Sequence, residues 1–160
     1  MRLRSRYVES PKHRSRALAM TLAAPFDTGF LEDALRTVFA EWVQLLELRL
    51  IRATPGEVVL ALPVTKRHVH AGGVMCGQTL MAAADTAMVL AVMSKLGAFR
   101  PMTTVQLQTT FLRPIAADAG EARVSATVLR MGKTMAFGDI RITTGDDVLA
   151  AHATTSYALL

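Results

Sequence analysis

Apolar and polar positions recur in different rhythms along this chain, and each rhythm predicts a different element. Phe30, Leu31, Ala34, Leu35, Val38, Phe39 and Trp42 follow helical spacing with Glu32, Asp33, Arg36 and Glu41 between them. That pattern predicts an amphipathic helix capped by Asp27 or Thr28, its aromatic residues serving core packing. Leu46, Leu48 and Leu50 then alternate with Glu47 and Arg49, and Pro55-Gly56 supplies turn chemistry before 57–64. This predicts a β-hairpin. Residues 65–76, with Lys66, Arg67, His68, His70, Gly72 and Gly73, read as an irregular loop. Across 77–94 the rhythm vanishes into a run that is apolar all round, the pattern of a buried helix. Beyond Gly97 the stretches 102–112, 122–131, Met135–Thr143 and 148–157 read as strands, with turns marked by Gly120, Gly132 and Gly145. In the first of them Val105, Leu107 and Phe111 alternate with Gln106, Gln108 and Thr110, as in a sheet with one covered face. The order is helix, hairpin, buried helix and four-stranded meander. It predicts an α+β architecture in which an antiparallel sheet wraps the central helix.

Asp85 is the only ionisable residue in 77–94, and the nearest cation along the helix is Lys95 at its far end. A carboxylate inside such a helix is costly unless a partner or water compensates it. Either it lies on a solvated edge, or it is a catalytic group whose orientation the core controls. Gly77 opens the same helix, where free amides and the positive end of the dipole favour negative charge.

Composition narrows the reading. A chain of 160 residues with 51% hydrophobic and 19% charged residues suits one folded domain and excludes disorder of the whole chain. The formal charge of +5 is concentrated in the first twenty residues, where Arg2, Arg4, Arg6, Lys12, Arg14 and Arg16 face only Glu9. The remainder balances, so no nucleic-acid partner is expected. Residues 1–25 are expected to form a flexible basic arm and 26–160 a single domain. Cys76 is the only cysteine, which excludes an internal disulfide and fits a cytoplasmic protein. The apolar stretch 17–24 only faintly imitates a signal peptide, and polar Gln78 and Thr79 with central Asp85 argue against a membrane span. His68 and His70 form a His-x-His pair without a third ligand at suitable spacing, so no metal site is expected.

Several stretches then fall into register with one pattern. Cys76-Gly77-Gln78 stands where a His-Gly-Gly opens a central helix, and Asp85 follows eight residues after Gly77. The strands around Thr104–Pro114 and Leu129–Phe137 continue the likeness. Over roughly residues 30–158 the chain resembles the hotdog-fold acyl-CoA thioesterases, in particular their phenylacetate-pathway (PaaI-like) branch. The resemblance implies a hotdog fold with an additional N-terminal helix, and hydrolysis of an acyl-CoA thioester to free acid and coenzyme A without metal or redox cofactor. It implies Asp85 as general base or nucleophile and the Gly77 amide as the group polarising the carbonyl. Thr104, with Thr103 as its rival should the register slip by one, stands where the family positions the attacking water. One straight helix cannot bring Gly77 and Asp85 to one carbonyl, since eight residues separate them by ~12 Å. The resemblance resolves this through a homodimer in which the helix start of one subunit faces the carboxylate of the other. It also implies a dimer of dimers.

The chain departs from the pattern at three places. His70 stands at an Asn or Gln position, where it either keeps an orienting role or is a surface loop residue. Cys76 replaces a histidine, as a nucleophile or as a small packed residue. Gln78 replaces the second glycine and narrows that corner. Gln78, Met81 and Gln106 are candidate substrate contacts, and Arg113, Arg130, Gly132 and Lys133 resemble a rim for coenzyme A phosphates. Two competing readings remain: a hotdog hydratase or dehydratase using His70, and a non-catalytic acyl-CoA-binding module. The first lacks the expected His-Phe-Pro type motif, and the second would not need Asp85.

Overall fold

The computed structural model describes residues 27–160. The expected basic arm, 1–25, lies outside the described residues. Two short helices, α1 (Gly29–Thr37) and α2 (Glu41–Gln44), lead into the hairpin β1 (Arg49–Thr54) and β2 (Glu57–Pro63). The central helix α3 (Gly77–Leu96) follows, then β3 (Met102–Phe111), β4 (Glu121–Met131), β5 (Met135–Thr143) and β6 (Leu149–Leu159).

The six strands form one antiparallel sheet in the order β1-β2-β4-β5-β6-β3. This corrects the expected meander. Of its four strands only β4, β5 and β6 run as consecutive neighbours, while β3 crosses to the far edge beside β6 and β2 of the hairpin takes the place next to β4. Strand periodicity cannot reveal this, because alternation reports which face is covered and not which strand is adjacent.

α3 lies in the concave face of that sheet. Leu80, Ala84, Ala87, Met88 and Leu90 are buried against Leu60 and Leu62 of β2, Val124 and Ala126 of β4, and Ile140 of β5. The helix has the length and apolarity of a membrane span, yet most of it is buried in this core. It ends where Gly97 adopts φ +74° and donates its amide to Met93 O at 2.8 Å, the αL stop that glycine tolerates best. The hairpin turn is tied to it through Ser94, whose Oγ accepts from Gly56 N at 2.9 Å and donates to Thr54 O.

The N-terminal segment differs from the single helix predicted through Trp42. Helical geometry breaks at Ala40, which is extended at ψ 150°, and Gln44 Nε2 donates to Phe39 O at 2.8 Å across the break. Two short helices survive here because packing supports them, with Leu31 and Ala34 buried beneath α1. Asp27 Oδ1 accepts from Gly29 N, while the N-cap residue Thr28 makes no side-chain capping bond. The strand expected from Leu46 begins only at Arg49, because Glu47 takes φ +55°.

Candidate active site

One stripe of α3 escapes burial. Gln78, Met81, Ala82, Asp85 and Val89 recur at intervals of three and four residues and remain exposed or half-buried, while between Leu80 and Ser94 the rest of the circumference is buried. Asp85 is therefore on an edge of the core and not adrift in it.

Three oxygens meet there. Thr104 Oγ1 on β3 donates to Asp85 Oδ1 at 2.9 Å, and Tyr157 Oη on β6 donates to the same Oδ1 and lies 3.0 Å from the Asp85 main-chain oxygen. The sheet places both donors, because Thr104 and Tyr157 are directly paired across β3 and β6. Just beyond them β3 bulges at Val105: the register moves from Thr104 opposite Tyr157 to Gln106 opposite Ser156. Thr104, Leu107 and Phe111 consequently share the helix-facing side, while Thr103 and Gln106 point away from it. Tyr157 is buried at 1% exposure. Burial first, then the charge and hydrogen bond of Asp85, hold its phenol far above the ordinary range, with the Thr104 hydroxyl acting in the opposite sense. The phenol thus faces Asp85 as a donor.

A cavity of about 330 Å³ opens at this carboxylate, lined by Trp42, Gln78, Met81, Ala82, Asp85, Thr104 and Leu107. A second, of about 320 Å³, continues from it past Trp42, Gln78 and Ala82 toward Leu45, Leu46, Arg67 and His68. Together they make an apolar groove along the open stripe.

The other candidates gather elsewhere in the protomer. At the start of α3 the amides of Thr79 and Leu80 reach back to Cys76 O, which leaves the Gly77 and Gln78 amides without an acceptor among the described residues. A Cβ on Gly77 would lie 3.0 Å from Phe111 Cζ, so the missing side chain makes room for that ring. Both line a third cavity with Arg113. Cys76 is the N-cap, half-buried and with no capping bond from its thiol, and its amide donates to His68 O. His70 is exposed, and its Nδ1 accepts from Gly72 N at 2.9 Å. His68 is buried, with Nδ1 donating to Pro63 O at 2.8 Å, a structural contact that pins the loop. Among the described residues no cluster of three or more His, Cys, Asp or Glu is gathered as metal ligands would be.

The expected cationic rim divides in two. Arg113 follows the C-terminal end of β3 and donates to Leu149 O, whereas Arg130, Gly132 and Lys133 lie around the β4–β5 turn. That turn adjoins the opposite end of β3, where Arg100 Nη1 donates to Lys133 O at 3.3 Å. Gln106 lines a shallow cavity on the outer face of the sheet with Leu129 and Phe137, apart from Asp85.

Tyr157 was not among the residues singled out from the sequence. A signal existed: a tyrosine on the covered face of a strand needs a partner for its hydroxyl, and Asp85 is the one carboxylate that α3 offers.

The thioesterase superfamily pattern matches residues 72–151, the stretch that carries Gly77, Asp85 and Thr104. The chain belongs to that superfamily. Human acyl-coenzyme A thioesterase 13 is 31% identical over 99 residues, 61% of this chain and 68% of that protein. A conserved protein of Pseudomonas aeruginosa superposes with a TM-score of 0.70 at 29% identity, covering 76% of this chain and 95% of the other. The E. coli PaaI protein of the phenylacetic acid degradation operon gives 0.72 at 21% identity, covering 82% and 91%. The wrapped helix is thus the hotdog fold.

Proposed function

We propose that the protein hydrolyses an acyl-CoA thioester, with the Asp85 carboxylate delivering the attacking oxygen, its own or that of a water it deprotonates. The observation that carries this reading is the carboxylate itself, held by Thr104 and Tyr157 at the mouth of an apolar groove. The carbonyl oxygen gains negative charge in the transition state and needs preorganised donors. The unpaired Gly77 and Gln78 amides are such donors, but they lie ~12 Å up the same helix.

A second copy closes that gap. β3 is an edge strand of ten residues without a single charge, whereas the opposite edge, β1, carries Arg49 and Arg52 and a bulge. Charges and bulges discourage edge-to-edge pairing, so only β3 invites it. β3 also carries both half-sites, since Thr104 touches Asp85 and Phe111 covers Gly77. Antiparallel pairing of two β3 strands about Gln108, which stands opposite its own mate, sets Thr104 opposite the partner's Phe111 once the Val105 bulge is passed over. Asp85 then meets the partner's Gly77, together with the partner's Cys76 and His70 on the adjoining loop. The same register brings Arg113 toward the partner's Lys133, which reunites the divided cationic rim at the mouth through which coenzyme A would enter. The acyl group lies along the groove beside Met81 and Trp42.

The test is a panel of short, long and aromatic acyl-CoA esters assayed with a thiol reagent. Wild type is expected to release thiol from at least one ester, and Asp85→Asn to lose a hundredfold or more in kcat, the usual scale for a positioned base. Binding without turnover across the panel, or full turnover by Asp85→Asn, would remove this reading.

A further inference from the structure

The two donors that hold Asp85 converge on one oxygen. Thr104 Oγ1 and Tyr157 Oη both bond Oδ1, and no described residue donates to Oδ2. Oδ2 is not sealed away either, because the buried side-chain polar atoms lacking a partner among the described residues are Thr65 Oγ1 and Thr109 Oγ1. The carboxylate is therefore asymmetric, with one oxygen anchored toward the sheet and the other presented to the groove.

We propose that Tyr157 is a positioning residue, which together with Thr104 clamps Asp85 Oδ1 so that Oδ2 alone is offered for attack or for taking the proton of water. This deepens the hydrolytic reading and rests on it. Tyr157 suits the task for three physical reasons. Its ring is fixed in the core at 1% exposure, so the hydroxyl has little freedom to wander. The same hydroxyl also reaches the Asp85 main-chain oxygen, which ties it to the backbone as well as to the side chain. Its strand pairing with Thr104 makes the two donors one rigid unit. A clamp of this kind lowers the reorganisation needed to reach the transition state.

Among the described residues no other ionisable side chain lines the cavity at Asp85: α2 contributes Trp42, α3 Gln78, Met81 and Ala82, β3 Thr104 and Leu107, and β6 Tyr157 reaches the carboxylate from the core, while Arg67 and His68 line the cavity that continues from it. In the proposed pairing the partner's His70 and Cys76 would join them, and neither is altered by substituting Tyr157. A difference between wild type and Tyr157→Phe therefore isolates the hydroxyl.

The experiment measures kcat and KM on an ester that wild type cleaves, and the Asp85 carboxyl 13C resonance at one fixed pH, for wild type, Tyr157→Phe and protein uniformly labelled with 3-fluorotyrosine. In Tyr157→Phe kcat should fall about tenfold or more while KM changes less than about twofold, because the clamp acts on the carboxylate and not on binding. The Asp85 carboxyl resonance should move in both altered proteins, and the fluorotyrosine keeps the ring, so it reads the contact even if Tyr157→Phe fails to fold. An unmoved Asp85 resonance in the fluorotyrosine protein, or a loss confined to KM in Tyr157→Phe, would overturn the proposal. Absence of hydrolysis by wild type with a moved Asp85 resonance would instead remove the hydrolytic reading and leave the clamp standing.

Discussion

Burial of Tyr157 and the Asp85 carboxylate against its hydroxyl both disfavour the ionised phenol. The folded protein therefore holds this proton well beyond the pH at which an unfolded chain releases it, about 10. The unfolded state binds fewer protons above that pH, so stability is fully present below about pH 10 and falls as pH rises further. The slope is about 1.4 kcal/mol per pH unit from this one group. Tyr157→Phe should therefore lose less stability than wild type between about pH 10 and 11, read as the difference between their denaturant midpoints. Parallel curves for the two proteins would show that the phenol ionises normally. At this scale the sequence marked Asp85 through its isolation among apolar neighbours. It did not mark Tyr157, because the contact joins residues 72 positions apart.

Among the elements, β5 shows how closely the sheet fits the helix. Gly138 faces Met88 of α3, and a Cβ there would lie 2.2 Å from Met88 Sδ and 3.0 Å from Thr127 O of β4. Met88 is itself fully buried, so its flexible end has nowhere to retreat, and the Thr127 carbonyl is main chain. Gly138→Ala is expected to destabilise the protein by about 1–3 kcal/mol through overpacking. Shortening Met88 to Ala in the same chain should cost less than the sum of the two single changes, since the clash and the cavity offset each other. Additive losses in chemical denaturation would show that the two positions do not compete for space. Element boundaries were largely legible. β5 matches its predicted range, and β3, β4 and β6 differ at their ends by one or two residues. Local alternation is sufficient for that. The break after α1 was not legible, because apolar spacing continues through it to Trp42; packing alone turns that ring, 62% exposed, toward the groove.

For the molecule as a whole, the open stripe of α3 and the uncharged edge of β3 adjoin each other, and the proposed second copy covers both. A lysine at Gln108 would stand beside its own symmetry mate across the proposed axis, which is how natural sheet edges repel partners. Gln108→Lys is expected to weaken self-association at least tenfold in sedimentation velocity. Specific activity should then fall on dilution, while protomer stability changes by less than about 0.5 kcal/mol, as for other surface substitutions. A monomeric wild type with full activity would end the shared-site reading. The same geometry explains the divided rim. Arg113 and Lys133 looked like one cluster in the sequence, but they flank opposite ends of a ten-residue strand, roughly 33 Å long.

By itself the sequence determined the kinds of element, most strand boundaries and the isolation of Asp85 among apolar neighbours, because periodicity and isolation are local properties. Tertiary structure alone decided that β3 lies at the far edge beside β6, that its bulge aims Thr104 at Asp85, and that Tyr157 shares the same oxygen. Those facts depend on which strands pair and in what register. Pairing is chosen by packing the whole sheet around one helix, and no short window of residues contains that choice.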